Sequence, residues 1–256
     1  MSTLPRLFVK NDLTAGIGFA LPENQAHYLA RVMRLGGGDE ARVFNGRDGE
    51  WRVTLCVNGR RVDASPTEQL RPQPALHAPG PEFLFAPLKK TRTDFAVEKA
   101  TELGVSTIRP VLTARTQTQR VKTDRLTALA MEAAEQTERM DLPEVCELIP
   151  LHKALSEWDP SCPLIFCDEA VNDPEQPWGG ENGRAKPMVE AIGGLNRDLR
   201  GGILIGPEGG FSQEERRDLR ARPYVVPVSL GPRILRAETA AISALTIWQT
   251  VLGDWR

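Results

Sequence analysis

The pattern of apolar and polar positions changes along the chain, and the first 72 residues show short apolar runs separated by turn residues. These runs predict strands at Leu7–Val9, Ala41–Phe44 and Trp51–Val57, and a helix over Asn24–Leu35. The Asn45–Gly49 segment predicts a tight hairpin, because Asn and Gly tolerate the positive φ angles that such a turn requires. Together the runs favour a small β-barrel with one helix.

A segment rich in proline follows this region. Residues 71–81 contain four prolines and one glycine, a composition typical of a stiff linker. We therefore predict a first domain at residues 1–72, a linker at 73–81 and a second domain at 82–256.

The second domain alternates between strand-like and helix-like periods, which predicts an α/β fold with a mainly parallel sheet. The last predicted helix is apolar nearly all round, so it needs packing partners on more than one side. Residues 172–186, rich in Pro, Gly and charge, are predicted to be an exposed loop. The predicted strands are Glu82–Leu88, Thr107–Leu112, Val145–Ile149, Pro163–Cys167, Gly202–Ile205 and Tyr224–Ser229; the predicted helices are Thr93–Leu103, Asp124–Glu138, Val189–Asn196, Glu214–Arg220 and Ala237–Leu252.

Two glycine-containing turns carry most of the functional information. They lie within Leu204–Glu215 and Leu230–Ala240, and each joins a short apolar run to a helix. Gly209 and Gly210 leave no side chain between the backbone and a ligand, and Ser212 with a glutamate three positions later predicts a capping box. One such turn suits an ordinary strand-to-helix connection equally well. Two of them, separated by one helix and one strand, predict a shallow pocket lined by main-chain groups.

Composition and charge exclude several classes of protein. The chain has 256 residues, of which 41% are hydrophobic, so it can bury a full core. No apolar stretch approaches the ~18 residues of a membrane span, and the N-terminus lacks signal-peptide features, so we expect a cytoplasmic protein without membrane contact. The four cysteines form no Cys-x-x-Cys pair, and with only three histidines no metal site is expected.

The distribution of charge is more informative than its sum. A net charge of −2 argues against a general nucleic-acid-coating protein, but residues 89–125 hold nine basic residues against four acidic ones. Such a basic run is usually a solvated face. Next to a site for an RNA substrate, it would instead contact phosphates.

The two turns, GPEGGFSQEE and LGPRILRAETA, resemble the SPOUT superfamily of RNA methyltransferases, and within it the branch that methylates N3 of a uridine in 16S ribosomal RNA. Residues 6–9, 27–35, 44–46, 98–105 and 135–139 resemble the same branch. The resemblance implies a PUA-like β-barrel followed by a SPOUT domain with a C-terminal trefoil knot, which periodicity alone does not reveal. It also implies S-adenosyl-L-methionine as cofactor, a homodimer joined through the last helix, and 16S ribosomal RNA, within the small subunit, as partner.

The resemblance also indicates candidate site residues. Arg236 is the candidate for stabilising the target base, with Glu208 and Glu238 as proton acceptors or as groups that orient Arg236; a structural ion pair at the helix start is the alternative for Arg236 and Glu238. Ile234 and Leu235 suit ordinary core positions equally well. The candidate cofactor-binding residues are Ile205, Gly206, Pro207, Gly209, Gly210, Leu230, Gly231, Ile234 and Leu235. The candidate RNA-binding residues are Arg6, Arg31, Arg34, Lys89, Lys90 and Arg92.

Two other functions remain open at this point. The first is a SPOUT methyltransferase with another target, such as a ribose hydroxyl or a transfer RNA. The second is a non-catalytic RNA-binding assembly factor. A pure binding protein has no use for both glycine turns and Arg236, so the methyltransferase is the preferred interpretation.

Overall fold

The computed structural model describes residues 4–74, 80–168, 185–197 and 200–255, and its contacts divide the chain into two compact units. The first unit comprises residues 1–75 together with 134–142, and the second comprises 76–133 and 143–256. The first division lies within the predicted linker. The inclusion of residues 134–142 in the first unit departs from the predicted boundaries. Most of the predicted loop at 172–186 and residues 75–79 of the linker lie outside the described residues.

The first unit contains a five-stranded sheet in its described part. Its strands are β1 (Arg6–Phe8), β2 (Phe19–Ala20), β3 (Glu40–Phe44), β4 (Glu50–Asn58) and β5 (Arg61–Arg71), in the order β1-β3-β4-β5-β2. β1 pairs with β3 in parallel, whereas the other pairs are antiparallel. Alternate residues of the strands are fully buried, including Val53 on β4 and Val62 on β5, so one face of the sheet covers the core of this unit.

The hairpin between β3 and β4 is held by the side chain of Asn45. Its Oδ1 accepts hydrogen bonds from the amides of Arg47 (3.0 Å) and Asp48 (2.8 Å), and Gly46 has a φ of 79°. This geometry confirms the predicted turn. The predicted helix is shorter than expected: α1 (Glu23–His27) continues into a π-helical turn at Tyr28–Val32.

Arg6 attaches residues 134–142 to the sheet of the first unit. Its side chain is buried, with Nε 2.5 Å from a carboxylate oxygen of Glu50, and its guanidinium lies 3.8 Å from the ring centre of Phe44. The same guanidinium donates hydrogen bonds to the carbonyl oxygens of Ala134 and Arg139, both at 2.8 Å. The buried Arg6 guanidinium therefore pairs with an acidic residue of the sheet and also donates to main-chain carbonyl groups of residues 134–142.

The second unit contains an eight-stranded sheet, counted over its described residues, and all its pairings are parallel. The strands are β6 (Glu82–Phe85), β7 (Thr107–Leu112), β8 (Glu144–Val145), β9 (Ile149–Pro150), β10 (Leu164–Cys167), β11 (Lys186–Pro187), β12 (Gly202–Ile205) and β13 (Val225–Ser229). Along the sheet the order is β11-β13-β10-β12-β6-β7-β8, with β9 also pairing with β7.

Helices cover both faces of this sheet. They are α2 (Lys90–Glu102), α3 (Thr123–Gln136), α4 (Leu151–Ser156), α5 (Met188–Ile192), α6 (Gln213–Arg220) and α7 (Ala237–Val251). Ile203 and Ile205 of β12 pack into a core with α2, α3, α5 and α7, whereas Leu204 between them packs into a second core with α4 and α6. Burial on both faces explains why β12 is a continuous apolar run.

The predicted fold class is confirmed: an α/β unit with a parallel sheet, joined to a small unit built on its own sheet. The C-terminal knot stays a prediction. Sequence patterns did not predict β5 or α4, and α3 begins at Thr123, one residue before the predicted start. Among the described residues, no helix is long and apolar enough to cross a membrane.

Substituting Arg6 tests its role in the first unit. Arg6→Ala should lower the free energy of unfolding by about 3–5 kcal/mol in urea titrations, because it leaves Glu50 buried with fewer partners. Arg47→Ala is the matched control: its pair with Asp12 is exposed and should contribute at most about 1 kcal/mol. Equal effects of the two substitutions would contradict the role assigned to Arg6.

The contribution of Glu50 should depend on pH. Burial opposes its ionisation, but hydrogen bonds from Arg6 and Arg71 outweigh that effect and lower the pKa of Glu50 below its ordinary value of 4.5. Because the pKa of Glu50 is lower in the folded than in the unfolded protein, ionised Glu50 stabilises the fold fully above pH 4.5. This stabilisation is lost as pH falls through the pKa of Glu50 in the folded protein. The stability difference between wild type and Arg6→Ala should therefore shrink in acid; a constant difference down to pH 3 would contradict this assignment.

Candidate functional site

The carboxyl ends of the central strands lie at one edge of the second sheet. Because β6, β7, β12 and β13 run in the same direction, the segments that follow them emerge at that edge. Ligand sites of open parallel sheets form at such edges. The segments concerned are residues 86–89, 113–118, 206–212 and 230–236.

The segment after β12 makes a tight turn in which Gly206 and Gly210 occupy positions that favour glycine. The Gly210 amide donates to the carbonyl oxygen of Pro207 (2.8 Å), and Gly210 has a φ of 66°. A Cβ at Gly206 would lie 2.5 Å from the ring of Phe211, which is buried and packs edge-to-face on Phe166. The ring of Phe211 thus holds the turn against the core.

Glu215 connects this turn to the segment after β7. The Ser212 hydroxyl accepts from the Glu215 amide (3.1 Å), and Glu215 Oε2 accepts from the Ser212 amide (2.8 Å), which confirms the predicted capping box. Glu215 Oε1 also accepts from the amide of Ala114 (2.7 Å). Arg115 adds a second tie, since its Nη1 donates to the carbonyl oxygen of Gly209 (2.8 Å).

The segment after β13 leads into α7. The Ser229 hydroxyl accepts from the amide of Gly231 (3.3 Å), and Gly231 has a φ of 113°. A Cβ at either Gly210 or Gly231 would meet nothing within 4 Å, so open space adjoins both turns. Arg236 is the exposed N-cap residue of α7.

Arg92, in the first turn of α2, lies between the two turns. Its Nη1 is 3.7 Å from Oε1 of Glu208, and its Nε is 3.6 Å from Oε1 of Glu238. The Glu238 side chain is only 14% exposed, and its Oε2 is buried without a hydrogen-bond partner among the described residues. A buried carboxylate oxygen without a donor is unfavourable, so this arrangement is suited to a ligand that brings a donor or a positive charge.

Two threonines fix the start of α2. Thr93 Oγ1 donates to the carbonyl oxygen of Leu88 (3.0 Å) and lies 2.9 Å from the Leu88 amide, from which it accepts. Thr118 Oγ1 donates to the same carbonyl oxygen (2.8 Å). These hydrogen bonds therefore fix the main chain just before α2, from whose first turn the Arg92 side chain extends.

Comparison with known proteins identifies this arrangement. A family model described as an RNA methyltransferase domain matches residues 81–249, and one described as an RNA methyltransferase PUA domain matches residues 21–62. The ribosomal RNA small subunit methyltransferase E of Rickettsia conorii is 30% identical over 244 residues, which cover 94% of this chain and 93% of that protein. The chain belongs to the ribosomal RNA small subunit methyltransferase E family. The family predicted from the two turns is confirmed.

Other proteins similar to this chain give the same result. The methyltransferase E of Synechocystis is 31% identical over 94% of this chain and 75% of its own length. A crystal structure of the Neisseria gonorrhoeae methyltransferase E bound to S-adenosyl methionine matches with a TM-score of 0.81 and 25% identity, over 99% of this chain and 100% of that chain. A Legionella pneumophila methyltransferase in complex with the same cofactor matches with a TM-score of 0.80 and 26% identity, over 97% of this chain and 98% of that one.

The structure brings most residues of the predicted family site to the same edge, but some side chains serve other purposes. Ile205 is buried in the core, and Leu230 and Leu235 pack partly against it. Ile234 is 86% exposed, so the alternative of an ordinary core position is wrong for it. Pro207 is buried within the first turn, and Gly206, Gly209 and Gly210 contribute only main chain to it.

Two predicted roles require correction. Arg6 is buried and paired within the first unit, so it is not available for a phosphate. Arg92 lies beside Glu208 and Glu238 with its side chain 37% exposed, so its predicted RNA contact stays a prediction. Neither glutamate orients Arg236, which makes no ion pair within the described part of the chain. By contrast, Arg31, Arg34, Lys89 and Lys90 are exposed.

Sequence reasoning missed the groups that brace the turns. Arg115 and the Ala114 amide are about a hundred positions from their partners, and the two threonines around Leu88 carry no motif. Only the basic run at residues 89–125 pointed to this region. Over the described residues, no group of His, Cys, Asp or Glu is arranged to hold a metal ion.

Substituting Glu215 tests the brace between the two segments. Glu215→Ala removes acceptors for two amides and should lower the melting temperature of the protein by about 2–6 °C, following a loss of about 1–2 kcal/mol. Glu214→Ala is the control, since Glu214 is an exposed neighbour on α6. If both substitutions shifted the melting temperature equally, Glu215 would be an ordinary surface residue.

Proposed function

We propose that this protein transfers a methyl group from S-adenosylmethionine to N3 of a uridine in 16S ribosomal RNA. One observation carries the proposal: the turns at 206–212 and 230–236 lie at the same sheet edge, with open space beside Gly210 and Gly231. Membership of the methyltransferase E family and the cofactor-bound structures of its members support the same conclusion.

The residues present fit this cofactor. S-adenosylmethionine supplies a methyl group bound to a positively charged sulfur. The two glycine turns offer main chain without covering side chains, which suits the flat adenine and the ribose. The buried, unpartnered Oε2 of Glu238 and the carboxylate of Glu208 offer acceptors and negative charge.

Arg236 and Glu238 supply the chemistry that the uridine requires. N3 of uracil must lose its proton before it attacks the methyl carbon, and the negative charge then spreads to the adjacent carbonyl oxygens. Arg236, exposed at the start of α7, stabilises that charge. Glu238 is the proton acceptor in this scheme, because its Oε2 has no other hydrogen-bond partner in the described residues.

Exposed basic residues supply phosphate contacts for the RNA. Arg31 and Arg34 serve this role in the first unit, and Lys89 and Lys90 in the second. Contacts of this kind weaken with rising salt, because each releases condensed counterions. A substrate within the small ribosomal subunit also places the protein in the cytoplasm.

A homodimer is part of the proposal. Val189 (56% exposed) and Ile234 (86%) are large apolar residues left on the surface of the second unit. Half-buried Ile242 and Ile247 on α7 add apolar area. A second copy would cover apolar side chains of this kind, and light scattering at micromolar concentration should give a mass near twice 28.3 kDa.

The position of the transferred methyl group tests the function. Purified protein, 16S RNA or small subunits, and S-adenosylmethionine labelled in its methyl group should yield labelled N3-methyluridine after nuclease digestion and mass spectrometry. Label on a ribose hydroxyl or on transfer RNA would instead identify a methyltransferase of another specificity. If no label entered any of these RNAs, the result would indicate a protein that binds RNA without methylating it.

Arg236 is the sharpest single test of the site. Arg236→Ala should keep cofactor affinity within a few-fold and lower the single-turnover rate by about 10²–10³, because a donor to developing negative charge is lost. Arg236→Lys should recover part of the rate, since a point charge does not reproduce the planar guanidinium. Arg217→Ala, an exposed arginine on α6, is the control. Wild-type rates in both Arg236 variants would assign it a structural role.

A further inference from the structure

Arg92, Glu208 and Glu238 form a charge triad between the two glycine turns. Each member comes from a different part of the chain: the first turn of α2, the turn after β12 and the first turn of α7. The triad therefore joins α2 to both glycine turns, and open space adjoins each turn at Gly210 and Gly231.

The pairing within the triad is loose. Distances of 3.6 and 3.7 Å exceed the 2.7–3.2 Å of an N–H···O hydrogen bond. Arg92 is thus held electrostatically by both carboxylates without a hydrogen bond to either. Oε2 of Glu238 is buried and has no donor among the described residues. The triad by itself therefore lacks one hydrogen-bond donor.

The net charge of the triad indicates what it would bind. Two carboxylates and one guanidinium sum to −1, and the Glu238 side chain is 86% buried while the other two are about two-thirds buried. A surplus negative charge that is partly shielded from water favours a monocation over a neutral group. The triad should therefore discriminate between ligands of one shape that differ by a single positive charge.

Methyl transfer produces such a pair of ligands. The N3 lone pair forms the new bond to carbon, the carbon–sulfur bond breaks, and its electrons stay on sulfur. The sulfonium therefore becomes a neutral thioether, while the ammonium and carboxylate of the same molecule keep their charges. Cofactor and product differ at the site by one methyl group and one positive charge.

We propose that the triad of Arg92, Glu208 and Glu238 makes the site prefer the cationic cofactor over its neutral thioether product. This inference rests on the proposed function. Arg92 is a positioning residue that sets the strength of the preference by cancelling one of the two negative charges. The triad thereby favours exchange of spent product for fresh cofactor.

Neutralising a glutamate and neutralising Arg92 should change the preference for the cation in opposite directions. Neutralising either glutamate brings the triad to zero and should lower the preference for the cation. Neutralising Arg92 brings it to −2 and should raise the preference. If the triad were purely structural, all three substitutions would weaken the binding of both ligands alike, because both ligands use the same turns.

Calorimetry on the full-length protein without RNA tests the inference. The measured quantity is the ratio of the Kd of S-adenosylhomocysteine to that of S-adenosylmethionine. Glu208→Gln and Glu238→Gln should each lower this ratio by about three- to fivefold, and Arg92→Gln should raise it by a similar factor. Arg92→Lys keeps the charge, so its ratio should stay near that of the wild type. It provides the second test at this position if Arg92→Gln proves poorly folded. Glu214→Gln, an exposed isosteric change on α6, is the control.

A third ligand separates charge from the methyl group. For an analogue that carries an ammonium group in place of the methylsulfonium, the Kd should change in every variant as that of S-adenosylmethionine does. The effects on the ratio should also shrink as ionic strength rises, because the site is partly open to solvent.

The outcomes distinguish this inference from the proposed function. Two results would overturn the charge triad alone. One is normal binding with an unchanged ratio of the two Kd values in all three variants. The other is a ratio that falls in Arg92→Gln as it does in Glu208→Gln and Glu238→Gln. Failure of the wild-type protein to bind either sulfur ligand would overturn the proposed function and, with it, this inference.

Discussion

Parallel pairing in the second sheet is the constraint on which the site depends. β12 pairs with β6 on one side and with β10 on the other, and β10 also pairs with β13. All these strands run in the same direction. The chain must therefore leave these strands at one edge, and residues distant in sequence meet there. A single antiparallel strand among them would send one turn to the opposite edge and divide the site.

Bracing between the segments at that edge fixes their positions. Glu215 caps its own helix and accepts from Ala114, Arg115 holds the carbonyl oxygen of Gly209, and Arg92 lies between Glu208 and Glu238. The glycines leave the turns open, and these contacts limit their freedom. Positioning of this kind suits an enzyme that must hold a nucleophile in line with a methyl group.

How much could be predicted from sequence depended on how local each interaction is. The Ser212–Glu215 box and the Asn45 turn involve residues within a few positions of each other, and both were predicted. β5 was missed because it contains Pro66 and many polar residues; it is stable because its alternate residues Val62 and Ala64 are buried. A strand with a proline gives a weak pattern, and its pairing with β4 decides the outcome.

Long-range partners were beyond sequence reasoning. The sequence predicts an RNA contact at Arg6, because an arginine near an expected RNA site suits that role. The structure gives Arg6 a buried carboxylate and the main chain of residues 134–142, and it gives Arg92 two glutamates from separate turns. Charge type alone does not distinguish a buried cation from a solvated one, since the difference lies in which distant residues fold against it.

Hydrogen exchange with and without S-adenosylmethionine tests most directly whether the two glycine turns form one cofactor site. The account predicts that the cofactor slows exchange in both residues 206–212 and residues 230–236, together with the start of α2, while the sheet of the first unit is unchanged. Protection of only one turn, or protection confined to another part of the protein, would contradict the account.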